Sequence, residues 1–182
     1  MGASGAGRLS SIITVRISDD QMTKHKPKTV ILRDVTEADL PIFFEQQLDP
    51  DATQMAAFPS RDWDAFMAHW TKIMGNESNI LKTILFGGQV AGNIVSWDQS
   101  GEWEVGYWIG KEYWGKGIGT KALTEFLGYV RARPLFAHVA KHNIGSQRVL
   151  QKCGFVISGE AKFHDENIGE IEEFILELQS TA

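Results

Sequence analysis

At 182 residues, 43% hydrophobic and 23% charged, with a formal charge of −5, the chain has the makeup of one soluble domain with room for a sizeable core. The acidic balance argues against broad nucleic-acid binding, which needs many phosphate-neutralising cations, and is compatible with a cationic acceptor such as an amine. A single cysteine, Cys153, excludes an internal disulfide framework, and no run approaches the ~20 apolar residues of a membrane span.

The first 29 residues differ from the rest. Met1 to Gly7 is Gly/Ala/Ser-rich, like a cloning scar or a loose tail, and Met22 to Thr29 is polar with Lys24, Lys26 and Lys28. Residues 1–29 are expected to form a poorly ordered arm, with Met22 as an alternative start; an extra edge strand from Ile12 to Ile17 is the competing reading. Residues 1–21 lack an apolar stretch long enough for a signal peptide, so a cytoplasmic location is the default expectation.

The domain is expected over residues 30–180. Val30-Ile31-Leu32-Arg33 reads as a strand. Thr36 is a good N-cap, with Asp39 near the first turn, for a helix carrying Leu40, Phe43, Phe44 and Leu48 and stopping at Asp49-Pro50. Asp51 to Ser60 reads as a loop, and Asp62 opens a second helix running to about Met74. On it Trp63, Phe66 and Trp70 recur at helical spacing, as core residues or, with Phe58 and Trp97, as the wall of a pocket. Ile80–Phe86 and Gln89–Trp97 are two strands joined at Gly87-Gly88, a strong hairpin signal. Gln99-Ser100-Gly101 turns into the strand Glu102–Ile109. A helix is expected from about Gly117 to Ala132, then a strand Leu135–Ala140, a helix Ile144–Lys152, a strand Phe155–Ser158 and a last strand Glu170–Leu178. The order β-α-α-β-β-β-α-β-α-β-β is a mixed α/β arrangement, a central sheet with helices on both faces.

The most informative segment is Tyr113 to Ala122, YWGKGIGTKA. Gly115, Gly117 and Gly119 alternate between a strand and a helix start. Such a turn gathers backbone N–H groups into a nest that binds phosphate or pyrophosphate. A Walker loop is excluded by spacing, because Gly117 follows Lys116 where Ser or Thr is needed. The dinucleotide fingerprint fails on its last interval and lacks its later acidic residue.

The stretch resembles instead the acyl-CoA loop of the GNAT superfamily of N-acyltransferases, Arg/Gln-x-x-Gly-x-Gly/Ala, with Trp114 in the Arg/Gln place and Gly117 and Gly119 as its glycines. Trp-Gly-Lys-Gly in this setting is similar to the branch that includes ribosomal-protein N-acetyltransferases. Downstream, Asn143-x-x-Ser146 at a helix start and Lys152-Cys153-Gly154-Phe155 at its close follow the same family's order.

The resemblance covers roughly Val30 to Leu178 and implies a sheet splayed between Glu102–Ile109 and Leu135–Ala140. Acetyl-CoA, as co-substrate, would enter that gap and extend the strand edge. The residues implied to hold it are Trp108, Ile109, Trp114, Gly115, Lys116, Gly117, Ile118, Gly119, Thr120, Asn143 and Ser146. Lys116 and Lys121 either add charge near the phosphates or are solvated surface lysines. Asn143 caps its helix, contacts the pantetheine amides, or both. Ser146 either reaches a CoA phosphate or is a helix-start serine.

Many members have a tyrosine four residues before the glycine of the Gly-Phe close, and it protonates the leaving thiolate. This chain has Leu150 there. Ser146, His142 and Tyr107 are the replacement candidates. Glu104, then Glu102, are the candidate bases for the acceptor amine, against the reading of two exposed strand carboxylates. They alternate on one strand and so share a face until a bulge intervenes. His69, His138 and His164 are isolated in sequence and read as packed or surface residues. No metal is expected, since no His/Cys/Asp cluster has ligand spacing.

The expected activity is acyl transfer, with acetyl as the donor group, to a primary amine of a small molecule or peptide. The rivals are a phosphate- or nucleotide-binding module and a non-catalytic acyl-CoA sensor. No nucleic-acid or membrane partner is expected, and a homodimer stays open.

Overall fold

The computed structural model describes residues 29–166 and 169–180. The arm expected over residues 1–29, the alternative strand Ile12–Ile17 and Met22 lie outside them, apart from Thr29. A seven-stranded mixed sheet forms the centre, in the order β1-β2-β3-β4-β5-β7-β6. Its strands are β1 (Val30–Asp34), β2 (Ile80–Phe86), β3 (Gln89–Gln99), β4 (Glu102–Ile109), β5 (Leu135–Ala140), β6 (Val156–Asp165) and β7 (Gly169–Leu178). The helices are α1 (Leu40–Gln47), α2 (Pro50–Ala56), α3 (Trp63–Met74), α4 (Ile118–Phe126) and α5 (Ile144–Lys152).

Alternation along the strands feeds two apolar cores, one on each face of the sheet. On one face α4 and α5 bury Ile118, Leu123, Phe126 and Leu150 against Ile84, Ile94, Val105 and Leu135. On the other, α1 and α3 bury Leu40, Phe43, Phe66 and Trp70 beside Val90 and Val95. Ile94 and Val95, adjacent on β3, thus serve opposite cores. No helix among the described residues is long and apolar enough to cross a membrane.

The entry to α1 is held by an ion pair between buried Asp39 and partly exposed Arg33. Arg33 donates to both oxygens of Asp39 at 2.6 Å. The Thr36 amide and the Thr83 hydroxyl also donate to Asp39, at 2.9 and 2.8 Å. Burial pushes the Asp39 carboxyl up, but Arg33, Thr36 and Thr83 outweigh it and pull its pKa down to about 2.

Three boundaries differ from the sequence reading by more than two residues. The expected loop Asp51–Ser60 begins as helix α2. Asp49 accepts hydrogen bonds from the amides of Asp51 and Ala52, and Pro50 sits at the first helical position, where its missing N–H is no loss. Helix α4 stops at Phe126 instead of Ala132; the chain tightens through Gly128 N–H to Glu125 and Tyr129 N–H to Phe126 carbonyl. Strand β6 runs to Asp165, well past Ser158, because it pairs with β7 along a long hairpin. That extension carries Phe163 and Asp165 to the wall of the second of the two cavities described below.

Candidate active site

Strand β4 pairs continuously with β3, from Gln99↔Glu102 to Gly92↔Ile109. A bulge in β3 lets Ala91 accept the Gly110 N–H at 2.9 Å. Gly92 is needed there, since a Cβ would fall 1.9 Å from the Trp108 carbonyl oxygen. On its other side β4 pairs with β5 only at Trp103↔Leu135 and Glu104↔Phe136. Beyond Glu104 the two strands part, as the resemblance implied.

After Ile109 a short 3-10 turn, Lys111–Tyr113, leads into the glycines. Gly115 and Gly117 have φ of 70° and 72°, the left-handed region that glycine enters without strain. A Cβ at either would meet nothing within 4 Å, so the space beside them is open to a ligand. Gly117 caps α4 with no side-chain acceptor on its first amides, leaving the N–H groups near Ile118, Gly119 and Thr120 free for an anion. At Gly119 a Cβ would lie 3.4 Å from Val149, in ordinary contact with α5.

These residues line a cavity of about 420 Å³ with Trp108, Ile109, Trp114, Asn143 and Ser146. Ten of the eleven expected donor-site residues are therefore brought together. Lys116 is the exception: its ammonium turns back to the Glu112 carbonyl and lies 5.5 Å over the Tyr113 ring. The cations on this cavity come instead from Arg148 and Lys152 of α5. Their i, i+4 spacing, on the helix that Asn143 opens, was the signal available in the sequence. The Trp114 indole donates to the Ile109 carbonyl at 2.8 Å and ties the glycine turn to the strand end. Asn143 caps α5 by accepting the Ser146 N–H at 3.0 Å.

A second cavity, of about 530 Å³, lies on the other side of the splay. Both cavities are lined by Ala56, Tyr107, Trp108, Asn143 and Ser146, so they meet where β4 and β5 part. Phe58, Phe66, Trp70 and Trp97 all line the second cavity. Phe66 and Trp70 thus do both jobs offered by the sequence, core and wall, while Trp63 packs outside, edge-on to Phe44.

Glu102 and Glu104 share a face, as no bulge interrupts β4. Glu104 lines the second cavity and Glu102 is exposed beyond it. His138, which looks isolated in sequence, lies in the same cavity with Glu173, its Nδ1 3.4 Å from a Glu173 oxygen. The contact depends on the pairing of β5 with β7, two strands far apart in the chain.

Burial pushes the Glu104 carboxyl above the usual carboxylate range. His138 opposes that shift, and Glu102 and Glu173 add to it. His138 is raised, first by its bond to Glu173, with burial opposing and the carboxylates of Glu104 and Glu102 reinforcing. His164 is exposed. His142 is tied to the Gln54 carbonyl at 2.9 Å and lines neither cavity.

The buried Tyr107 hydroxyl donates to the Ser146 carbonyl at 3.4 Å, and burial pushes its pKa up to about 12. Leu150 is 1% exposed, at the wall of the second cavity. Among the described residues, no group of acidic, histidine and cysteine side chains is arranged to hold a metal ion.

Residues 29–156 match the sequence model of the family described as acetyltransferase (GNAT) domain. A search of curated proteins returned no match. Among solved structures, an acetyltransferase of the GNAT family from Bacillus anthracis is similar with a TM-score of 0.71 at 19% identity, over 82% of this chain and 94% of that one. The microcin C7 self-immunity acetyltransferase MccE, in complex with acetyl-CoA and AMP, is similar with a TM-score of 0.69 at 17% identity, over 85% of this chain and 94% of that one. Spermidine N-acetyltransferase from Vibrio cholerae, in complex with CoA and spermine, gives 0.67 at 16%, over 81% and 95%. At these identities the likeness speaks for the fold, and the sequence match across most of the chain speaks for descent. The chain belongs to the GNAT acetyltransferase family.

Proposed function

We propose that the protein transfers an acetyl group from acetyl-CoA to a primary amine by direct attack, with no covalent enzyme intermediate. The observation that carries this reading is the junction of two cavities at Tyr107 and Trp108, where β4 and β5 separate. Two reactants, one from each side, would meet there in fixed geometry, and orientation of this kind is a large part of catalysis.

The donor side fits acetyl-CoA. Its open glycine turn and free amides suit a pyrophosphate, and Arg148 and Lys152 add charge. Asn143, Ser146 and the β4 edge at Trp108 and Ile109 suit the pantetheine arm. When bound, acetyl-CoA supplies the activated acyl group. A backbone N–H near Trp108–Ile109 would polarise the thioester carbonyl.

Glu104 would take the proton of the acceptor ammonium, directly or through a water. A carboxyl raised by burial is a better base near neutral pH than an ordinary one. As the new N–C bond forms, the C–S bond breaks and sulfur keeps the electron pair. Tyr107 holds its proton at neutral pH and would turn its one O–H from the Ser146 carbonyl to that sulfur, donating a hydrogen bond to it. Handing the proton over outright is uphill from a phenol at about 12 to a thiolate with an ordinary pKa near ~8.5, so the proton comes finally from solvent. Leu150, where relatives commonly carry the acid, would leave Tyr107 this role.

Thermal shift with acetyl-CoA, ATP and NAD tests the donor site. Stabilisation by ATP or NAD but not by acetyl-CoA would replace this reading with a nucleotide module. A thiol-release assay over a panel of amines tests transfer, and binding without release would make the domain a sensor.

A further inference from the structure

The second cavity carries charges of both signs. Glu104, Glu173, His138 and Asp165 line it, with His138 against Glu173. Arg61, in the loop between α2 and α3, lines it as well. The aromatic walls of Phe66, Trp70 and Trp97 belong to the same cavity.

Arg61 is fixed through its backbone. Buried Gln47 clamps its backbone: Gln47 Nε2 donates to the Arg61 carbonyl at 3.0 Å, and the Arg61 amide donates to Gln47 Oε1 at 3.5 Å. The guanidinium lies 4.7 Å from the centre of the Phe58 ring. A ring face attracts the charge but accepts no conventional hydrogen bond, so the N–H groups keep their capacity to donate. Among the described residues no carboxylate pairs with it. Burial is what disfavours its charge, and a partly desolvated cation without a counterion gains from receiving one. His69 beside it is lowered by burial, Arg61 and Lys72, and so is neutral at neutral pH. Among the described residues Arg61 is the one arginine or lysine that lines this cavity. It does not line the cavity of the glycine turn, so a CoA phosphate is not its expected partner.

We infer that the acceptor is an amine that also bears an anionic group, with its amine at Glu104, its anion on the Arg61 fork and its apolar part against the aromatic walls. The anion is of the carboxylate class, planar and suited to two parallel hydrogen bonds from guanidinium. This rests on the transfer reading above and narrows its acceptor. The open polyamines, cationic at both ends, would set a positive charge against Arg61.

The test uses matched amines: phenethylamine against phenylalanine, butylamine against 4-aminobutyrate, and spermidine. Thiol release at saturating acetyl-CoA is measured for the parent, Arg61→Ala and Arg61→Lys. Acetyl-CoA affinity and circular dichroism serve as fold controls. In at least one pair the parent should prefer the carboxylate-bearing partner by about 10- to 100-fold in kcat/KM, the scale of one charge-assisted pair, with the difference mostly in KM. Arg61→Ala should collapse that ratio and Arg61→Lys should restore part of it. Should Arg61→Ala not fold, the parent's ratio and its drop in Arg61→Lys decide.

Equal or better turnover of the plain amines or spermidine by the parent overturns the acceptor class while leaving acetyl transfer standing. So does a preference that survives in folded Arg61→Ala. Acetyl-CoA binding with no thiol release from any of these amines overturns both the transfer reading and the acceptor class.

Discussion

Replacing Gly117 by Glu, with Gln as its uncharged control, separates what the glycine turn does for the fold from what it does for the ligand. Gly117 has φ of 72°, so any side chain strains the backbone by about 1–2 kcal/mol. Nothing lies within 4 Å of an added Cβ, so no steric term joins that strain in the free protein. Both variants should therefore lose about 1–2 kcal/mol of stability, or roughly 2–8 °C in Tm for a chain of this size.

Ligand binding should split them. The glutamate places a negative charge beside the expected pyrophosphate. At a separation of ~5 Å and an effective dielectric constant of ~20–80, each charge pair is unfavourable by about 1–3 kcal/mol. Glu should therefore bind acetyl-CoA about 5- to 150-fold more weakly than Gln, beyond any loss the two share through filling the turn. Titration calorimetry at low and high salt measures this, and the Glu–Gln gap should narrow as salt screens it. A folded Gly117→Glu protein with the parent's acetyl-CoA affinity would refute the placement of the donor phosphates. Equal losses in Glu and Gln would refute the electrostatic part alone.

Glu104→Gln should lower turnover by roughly 10²–10⁴ while leaving acetyl-CoA affinity nearly intact. Because the parent carboxyl is raised, kcat/KM of the parent should climb with pH above the ordinary carboxylate range as the base form appears, and Glu104→Gln should lose that limb. Rates within a few-fold of the parent across pH 6–9 would remove Glu104 from the chemistry.

Leu150→Ala should destabilise the fold by ~2–5 kcal/mol in urea titration, since the side chain is 1% exposed. A variant as stable as the parent would defeat the packing role. Asp39 is lowered from 3.8 to about 2, so the folded protein binds fewer protons there than the unfolded chain. Its contribution is full above the unfolded value and is lost as pH falls from about 4 to 2, about 2 kcal/mol in all. Urea titrations of the parent between pH 5 and pH 2 should show that loss, and Asp39→Asn should lack it. Identical pH slopes for both proteins would count against the pair of Arg33 with Asp39.

Local chemistry made much of this protein legible without coordinates of any kind. The Gly87-Gly88 turn, the Asp62 cap, the alternation along Glu102–Ile109 and the glycine turn before Ile118 each act within a few residues. Such signals are complete in the sequence itself. The cavity at the glycine turn was readable for the same reason: its turn and the Asn143 cap are contiguous segments. Lys116 shows the limit even there. Its position in the loop was plain, but the direction of a long flexible side chain was not, and Arg148 and Lys152 supply the cations from a different helix.

The second cavity belonged to the tertiary structure. His138 meets Glu173 only through the pairing of β5 with β7, Phe163 and Asp165 arrive on a strand lengthened by its hairpin partner, and Arg61 is held by Gln47 from another helix. Short-range propensity could name each of these residues but not its neighbours. Contact between distant segments is set by strand register and packing of the whole sheet, which no local window contains.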